Sequence, residues 1–136
     1  MEIRTLNLLS PLYYAAVAES NPFGKQSGEK LYCFSLDENE FRIFEPDKNR
    51  LLGQLVFGGE AAGNREGAKA LFELPRGSYL FAQERLSLSQ DEIISLAIEV
   101  QLEGLWQRHK LGKLLYLRYL TEDGSEVTQL FRPFTS

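Results

Sequence analysis

Short runs in which apolar and polar residues alternate recur along the whole chain, and residues typical of turns separate them. An alternation with a period of two is typical of strands that have one face covered, and its repetition predicts a largely antiparallel sheet. The pattern predicts seven to nine strands, over residues 2–9, 12–19, 30–37, 40–45, 51–57, 69–74, 78–85, 113–121 and 126–133.

One stretch departs from this period and predicts a long helix near residues 90–110. Ser89 and Glu92 have the spacing of a capping box at its start, and Gly112 is a typical stop signal after its end. Such a helix is expected to pack on the sheet, and its wide apolar stripe is covered either by the same chain or by a partner subunit. The stripe comprises Ile93, Ile94, Leu96, Ala97, Ile98, Val100, Leu102, Leu105 and Leu111.

Two turn signals in the second half predict hairpins. The Asp123-Gly124 pair is typical of a two-residue type I′ turn and predicts that the last two strands form a hairpin. Pro75 and Gly77 suit the second and fourth positions of a turn, and they predict another hairpin over residues 69–85. The predicted helix lies between these two hairpins.

Polar and glycine-rich stretches in the first half predict the remaining connections. Turn residues at 37–40 and 46–50 favour two successive hairpins, which makes the first half a meander. Residues 20–29 and the glycine-rich stretch 58–69 have little periodicity and are predicted to be loops. Together the elements predict a single α+β domain over residues 1–136, with a hairpin-rich antiparallel sheet covered by one long helix.

Length and composition agree with one soluble domain. The chain has 136 residues, of which 43% are apolar and 25% charged, and this is enough to build one hydrophobic core. Its formal charge of -4 argues against nucleic-acid or anionic-membrane partners, which need clustered lysine and arginine. Residues 6–17 resemble the apolar part of a signal peptide, but Asn7, Ser10 and Pro11 interrupt them, so we expect a cytoplasmic protein.

Residues with distinctive chemistry are few. Cys33 is the only cysteine and His109 the only histidine, so no disulfide, metal site or cofactor is expected. Cys33 is expected to be a small buried hydrophobe. His109 lies in Arg108-His109-Lys110 at the predicted helix end, where the helix dipole favours cationic side chains. The glycine-rich stretch 58–69 lacks the lysine and hydroxyl spacing of a phosphate-binding loop.

The last hairpin carries the most informative position in the sequence. Its turn places Arg118 opposite Gln129, and Tyr116 opposite Phe131, on one face of the strand pair. Both faces of the pair are largely apolar, as in a strand pair near the middle of a covered sheet. Arg118 therefore needs an anionic partner, contact with water, or a cavity that it lines.

Two interpretations of Arg118 are open at this point. In the first, it pairs with Glu84, Glu99 or Glu103 inside the fold, or its head reaches water past the sheet edge. In the second, strand 78–85 adjoins the last hairpin, and its alternating side chains surround a pocket together with Arg118. An arginine fork binds carboxylate or phosphate, amides and hydroxyls orient the ligand, and rings form apolar walls. The residues of this hypothetical ligand site are Tyr79, Gln83, Tyr116, Arg118, Gln129 and Phe131.

Three function classes remain. The first is a non-catalytic ligand-binding or regulatory domain for a small anionic or aromatic compound, because the sheet offers an aromatic face and few catalytic side chains. The second is an interaction subunit or homodimer that uses the wide stripe of helix 90–110. The third is a small enzyme with carboxylate and tyrosine acid-base chemistry, although no motif aligns such groups. Its candidate groups are Glu60, Glu84 and Asp91 as acid or base, and Tyr79 and Tyr116 as proton donors.

Overall fold

The computed structural model describes residues 2–16, 28–36, 54–61, 71–86 and 88–135. Within these residues the chain forms eight strands in one curled antiparallel sheet and one helix, which confirms the predicted α+β fold. The predicted strand 40–45 and most of the predicted loop 20–29 lie outside the described residues. The elements are β1 Ile3–Leu8, β2 Leu12–Ala16, β3 Lys30–Ser35, β4 Gln54–Ala61, β5 Leu71–Leu74, β6 Gly77–Glu84, α1 Gln90–Trp106, β7 Leu114–Glu122 and β8 Ser125–Pro133.

The strand order across the sheet is β1-β6-β8-β7-β3-β4-β2-β5, and this order forces the sheet to curl. β5 and β6 are six positions apart, and a flat sheet would separate them by about 29 Å. Only Pro75 and Arg76 connect Leu74 to Gly77, and such a connection reaches at most about 11 Å. Residues 9–11 make the same crossing between β1 and β2, so the two edges of the sheet lie close together.

The turn at Pro75 does not form the hairpin that was predicted over residues 69–85. Both strands are present, but β5 pairs with β2, and β6 pairs with β1 and β8. A two-residue hairpin loop needs a positive φ at its first residue, whereas proline fixes φ at about -65°. Pro75 therefore sends the chain from one edge of the sheet to the other, and β6 does not return beside β5.

The first half of the chain is not ordered as the predicted meander. β3 pairs directly with β4 on one side and with β7 on the other, so no further strand lies between β3 and β4. β4 pairs in turn with β2, which precedes β3 in the sequence. The turns predicted at 37–40 and 46–50 lie outside the described residues. The observed order places Tyr14 of β2 in the same apolar cluster as residues of β3 and β7.

Strand alternation divides the apolar residues of the sheet into two layers. On β7, Leu115, Leu117 and Tyr119 join the layer that packs against α1, whereas Tyr116 joins the layer inside the curl. Cys33 is buried in the inner layer, as predicted. The inner core consists of Tyr14, Leu31, Cys33, Leu74, Tyr79, Phe81, Tyr116 and Phe131.

The start of α1 carries the predicted capping box. The Ser89 hydroxyl accepts a hydrogen bond from the Glu92 N–H, and the Glu92 carboxylate accepts one from the Ser89 N–H. The bond from the Ser89 N–H lowers the pKa of the Glu92 carboxyl group. α1 begins at Gln90, which confirms the predicted start. Among the described residues, no helix is long and apolar enough to cross a membrane.

Replacing Ser89 with alanine is expected to lower the free energy of unfolding by about 1 kcal/mol, because alanine offers no acceptor to the first turn of α1. Ser95→Ala, on the exposed face of the same helix, is the matched control and is expected to change stability by less than about 0.5 kcal/mol. Urea denaturation followed by circular dichroism measures both variants. Equal losses in the two variants would contradict a capping role for Ser89.

The end of α1 differs from the prediction, because the helix ends at Trp106 and does not reach residue 110. Arg108 takes a left-handed backbone conformation with a φ of 60°. The N–H groups of Arg108 and His109 donate to carbonyls of the last helical turn, which is the usual C-terminal cap. The sequence pointed to Gly112 because glycine takes this conformation most readily, whereas here an arginine does so.

The hairpin of β7 and β8 matches the prediction in both turn and register. Asp123 and Gly124 have φ values of 53° and 77°, as a type I′ turn requires. Arg118 lies opposite Gln129, as predicted. β8 also pairs with β6, so that Gln83 lies opposite Gln129 on the other side. This confirms that β6 adjoins the last hairpin.

Candidate functional site

Arg118 donates hydrogen bonds from all three nitrogens of its side chain. Its Nε lies 2.8 Å from the Tyr14 hydroxyl, and its Nη1 lies 2.9 Å from Oε1 of Gln129. Its Nη2 lies 3.1 Å from Oε2 of Glu29, with which it forms an ion pair. The guanidinium therefore contacts a hydroxyl, an amide and a carboxylate from three separate parts of the chain.

Two further hydrogen bonds extend these contacts into a cluster of five side chains. The Gln129 amide donates from Nε2 to Oε1 of Gln83 over 2.7 Å, and the Tyr14 hydroxyl donates to Oε2 of Glu29 over 2.5 Å. Within the described chain, every buried side-chain nitrogen and oxygen has a hydrogen-bond partner. We refer to Tyr14, Glu29, Gln83, Arg118 and Gln129 as the Arg118 cluster.

Strand register explains why these side chains meet. Gln129 lies between Arg118 of β7 and Gln83 of β6, directly opposite each of them. On its other side, β7 pairs with β3, and Arg118 lies opposite Leu31. Leu31 points to the inner face, and Glu29 is two residues before it, so strand alternation places the Glu29 side chain on the inner face as well. Three adjacent strands thus align Gln83, Gln129 and Arg118 along the inner face of the sheet, and Glu29 joins them from the start of the next strand, β3.

The Arg118 cluster lies at the boundary between the inner core and solvent. The side chain of Arg118 is 17% exposed and that of Glu29 is 30% exposed, whereas Tyr14 is wholly buried. Burial raises the pKa of Tyr14 above its usual range, and the hydrogen bond to Glu29 adds to the rise, although the charge of Arg118 opposes it. The Tyr14 hydroxyl therefore stays protonated near neutral pH and remains a hydrogen-bond donor.

Arg118 forms an internal ion pair, as in the first interpretation, but with a partner that was not among those predicted. Arg118 pairs with Glu29, and not with Glu84, Glu99 or Glu103. α1 carries Glu99 and Glu103 and packs on the other face of the sheet, out of reach of Arg118. Glu84 also points away from the inner face by strand alternation.

The six residues predicted as a ligand site divide into two adjacent groups. The polar members all belong to the Arg118 cluster. Among the aromatic members, Tyr79 contacts the other two edge-on, with ring centroids 6.3 Å from Tyr116 and 5.6 Å from Phe131. All three rings are buried in the inner core. Tyr116 and Phe131 are two residues from Arg118 and Gln129 on the same strands and share their face of the sheet, so the rings border the polar cluster.

A separate groove of about 390 Å³ lies at the start of α1, on the side of the sheet that the helix covers. It contains Glu84 and Asp91, two of the predicted acid-base groups, whereas Glu60 forms an exposed ion pair on β4. Tyr79 and Tyr116 lie in the inner core, so the structure does not bring the predicted acids and proton donors together. The groove is lined by Glu84, Leu86, Leu88, Asp91, Glu92, Ser95, Leu96 and Glu99.

Comparison with known proteins finds no match to this chain, either among protein-family models or among curated proteins. A curled antiparallel sheet with one covering helix does not by itself specify a function, because folds of one class host many unrelated activities. The geometry and chemistry of the Arg118 cluster are therefore the main indications of function.

Proposed function

We propose that the protein is a non-catalytic ligand-binding domain whose Arg118 cluster takes the carboxylate group of a small organic acid. The observation that supports this proposal is the way in which Oε2 of Glu29 is held. That atom lies 3.4 Å from Nε of Arg118, 3.1 Å from its Nη2 and 2.5 Å from the Tyr14 hydroxyl. Charge-assisted bonds from a guanidinium suit any carboxylate that reaches them, so a ligand can use the same donors.

Glu29 is the member of the cluster that a ligand can replace. Arg118 and its amide partner Gln129 lie within paired strands, whereas Glu29 lies just before β3 and is the more exposed member of the ion pair. Exchange of one carboxylate for another keeps both the hydrogen bonds and the charge balance. It therefore avoids the cost of leaving the partly buried Arg118 unpaired. Ligand binding and release of Glu29 are one exchange step.

The surroundings of the cluster indicate what kind of acid is expected. Tyr116 and Phe131 border the polar residues on the inner face of the sheet. Ligand sites commonly combine a few fixed polar groups with apolar and aromatic walls. An acid with an aromatic or branched apolar body therefore matches this site better than a small, wholly polar acid does.

A thermal-shift screen tests the proposal with ligand pairs that differ in charge, such as benzoate with benzamide and phenylacetate with phenylacetamide. The acids are expected to raise the melting temperature of the wild-type protein, and the amides are not. Glu29→Gln is expected to bind the acids about tenfold more tightly, because the competing internal carboxylate has lost its charge. Arg118→Lys keeps the positive charge but loses the planar fork, so most of the response is expected to disappear.

Glu60→Gln is the matched control for Glu29→Gln. Oε2 of Glu60 forms an ion pair with Nζ of Lys30 over 3.2 Å in the same sheet. The control therefore removes a carboxylate from an ion pair but leaves Arg118 and its partners unchanged. Its affinity for the acids, measured by calorimetric titration, is expected to equal that of the wild type. Two results would each reject the exchange: equal melting-temperature shifts from acids and amides, or a Glu29→Gln variant whose affinity for the acids equals that of the wild type. Either result would indicate that the Arg118 cluster has only a structural role.

A further inference from the structure

Three exposed apolar side chains lie together on the C-terminal half of α1. Trp106, the only tryptophan in the chain, is 87% exposed, and Leu105 and Leu102 are 59% and 44% exposed. Spacings of three and four residues place them on one side of the helix. We refer to Leu102, Leu105 and Trp106 as the apolar patch. Contiguous exposed apolar surface of this kind marks a site of association.

The apolar patch lies on the side of α1 that faces away from the sheet. The buried residues of the helix, such as Ile93, Leu96 and Val100, occupy the opposite side of the helical wheel. The apolar stripe predicted from the sequence therefore has two parts, of which the sheet covers one. The part of the chain that the structure describes leaves the patch exposed.

Charged residues flank the apolar patch with opposite signs at its two ends. Asp91 and Glu99 are exposed on the N-terminal side, and Arg108 and Lys110 are exposed just after the helix ends at Trp106. The acidic side chains therefore precede the patch along the chain, and the basic side chains follow it.

The geometry points to a second copy of this chain as the occupant of the apolar patch, with the two α1 helices antiparallel about a two-fold axis. In this arrangement the patches face each other, and the Glu99 end of each helix meets the Arg108–Lys110 segment of the other. A parallel arrangement places like charges together instead. The same surface supplies both halves of the interface, as a two-fold dimer requires. This interface uses no residue of the Arg118 cluster and is independent of the proposed ligand.

Light scattering coupled to size-exclusion chromatography, over a concentration series, measures this association. The wild-type chain is expected to change from one copy to two as its concentration rises, and the emission of Trp106 is expected to shift to shorter wavelength in parallel. Leu105→Ser is expected to remain monomeric and folded, because Leu105 is not part of the core. Leu9→Ser, at an exposed position outside α1, is the control and is expected to dimerise as the wild type does.

Charge reversal tests the antiparallel geometry separately. Glu99→Lys alone and Lys110→Glu alone are each expected to weaken the dimer at least several-fold. The Glu99→Lys/Lys110→Glu double variant is expected to regain it, and a mixture of the two single variants is expected to form heterodimers. A wild-type chain that stays monomeric at every concentration, a dimer that survives Leu105→Ser, or a double variant that does not recover would each overturn the inference.

Discussion

Raising the pH from about 9 to about 12 is expected to unfold the protein steeply, because several buried groups cannot ionise while it stays folded. Burial raises the pKa of Tyr79 to about 12 and that of the Cys33 thiol to about 12. Burial also raises the pKa values of Tyr14, Tyr116 and Tyr119 well above their usual range. In an unfolded chain the tyrosines ionise near pH ~10 and the cysteine near ~8.5.

The direction of the pH effect follows from the protons that each state holds. Because the folded-state pKa values are raised, the folded chain keeps protons that the unfolded chain has already released above pH ~10. The contribution of these five groups to the free energy of unfolding is fully present below pH ~8.5. It decreases as the pH rises towards the pKa values of the groups in the folded state. Each group contributes a loss of at most about 1.4 kcal/mol per pH unit. Five groups together therefore remove at most about 7 kcal/mol per pH unit, so one or two pH units are enough to cancel much or all of a typical stability of ~5–15 kcal/mol.

Urea titrations at a series of pH values, followed by circular dichroism, measure this loss, and near-ultraviolet absorbance reports tyrosinate formation. Both signals are expected to change together, because the buried tyrosines ionise when the chain unfolds. Tyr116→Phe removes one of the five groups and is expected to make the loss of stability with pH less steep. Buried tyrosines that ionise near pH ~10 while the circular dichroism stays native would contradict the explanation.

The elements of this fold can be predicted from the sequence because they depend on neighbouring residues. Alternation identifies the strands, and the side chains of Ser89 and Glu92 mark the start of α1. Asp123 and Gly124 determine both the turn and the register of the last hairpin, because a type I′ turn needs two residues with positive φ. These signals act within a few residues, and this is why they are readable without a structure.

The order of the strands depends on contacts between distant parts of the chain, and the sequence pattern does not specify it. Pro75 and Gly77 do not distinguish a hairpin from other turns, because proline and glycine suit many turns, including one that joins opposite edges of a curled sheet. The end of α1 was placed too late because Arg108 takes a conformation that glycine usually supplies. At both the Pro75 turn and the end of α1, the residues allow more than one local conformation, and tertiary packing determines which one forms.

The candidate site also has a part that local sequence signals predict and a part that depends on the strand order. The pairing of Arg118 with Gln129 follows from the hairpin register and is confirmed, whereas the position of Gln83 depends on β6 adjoining β8, which the sequence offered only as a hypothesis. Tyr14 and Glu29 were missed, because they lie 104 and 89 residues from Arg118 in the chain. The need for an anionic partner was evident from one arginine on an apolar face, but its identity depends on the strand order.

Replacing Leu117 with alanine is expected to lower the free energy of unfolding by about 3 kcal/mol, and the melting temperature by on the order of 10 °C. Leu117 is completely buried, and it lies on the helix-facing side of β7 between Leu130 of β8 and Tyr32 of β3. The strands on both sides hold the backbone in place, so the surroundings have little freedom to close the cavity. The loss therefore includes a cavity contribution in addition to the lost transfer free energy.

Two controls separate this cavity from a general effect of leucine replacement. Leu9→Ala makes the same chemical change at an exposed position between β1 and β2, and it is expected to alter stability by less than about 0.5 kcal/mol. Leu117→Met keeps most of the buried volume and is expected to cost less than about 1.5 kcal/mol. Urea denaturation gives all three values on one scale. A loss for Leu117→Ala no larger than that for Leu117→Met would show that the layer between β7 and α1 can collapse around the gap, so that the core is less rigidly packed than the strand pairing implies.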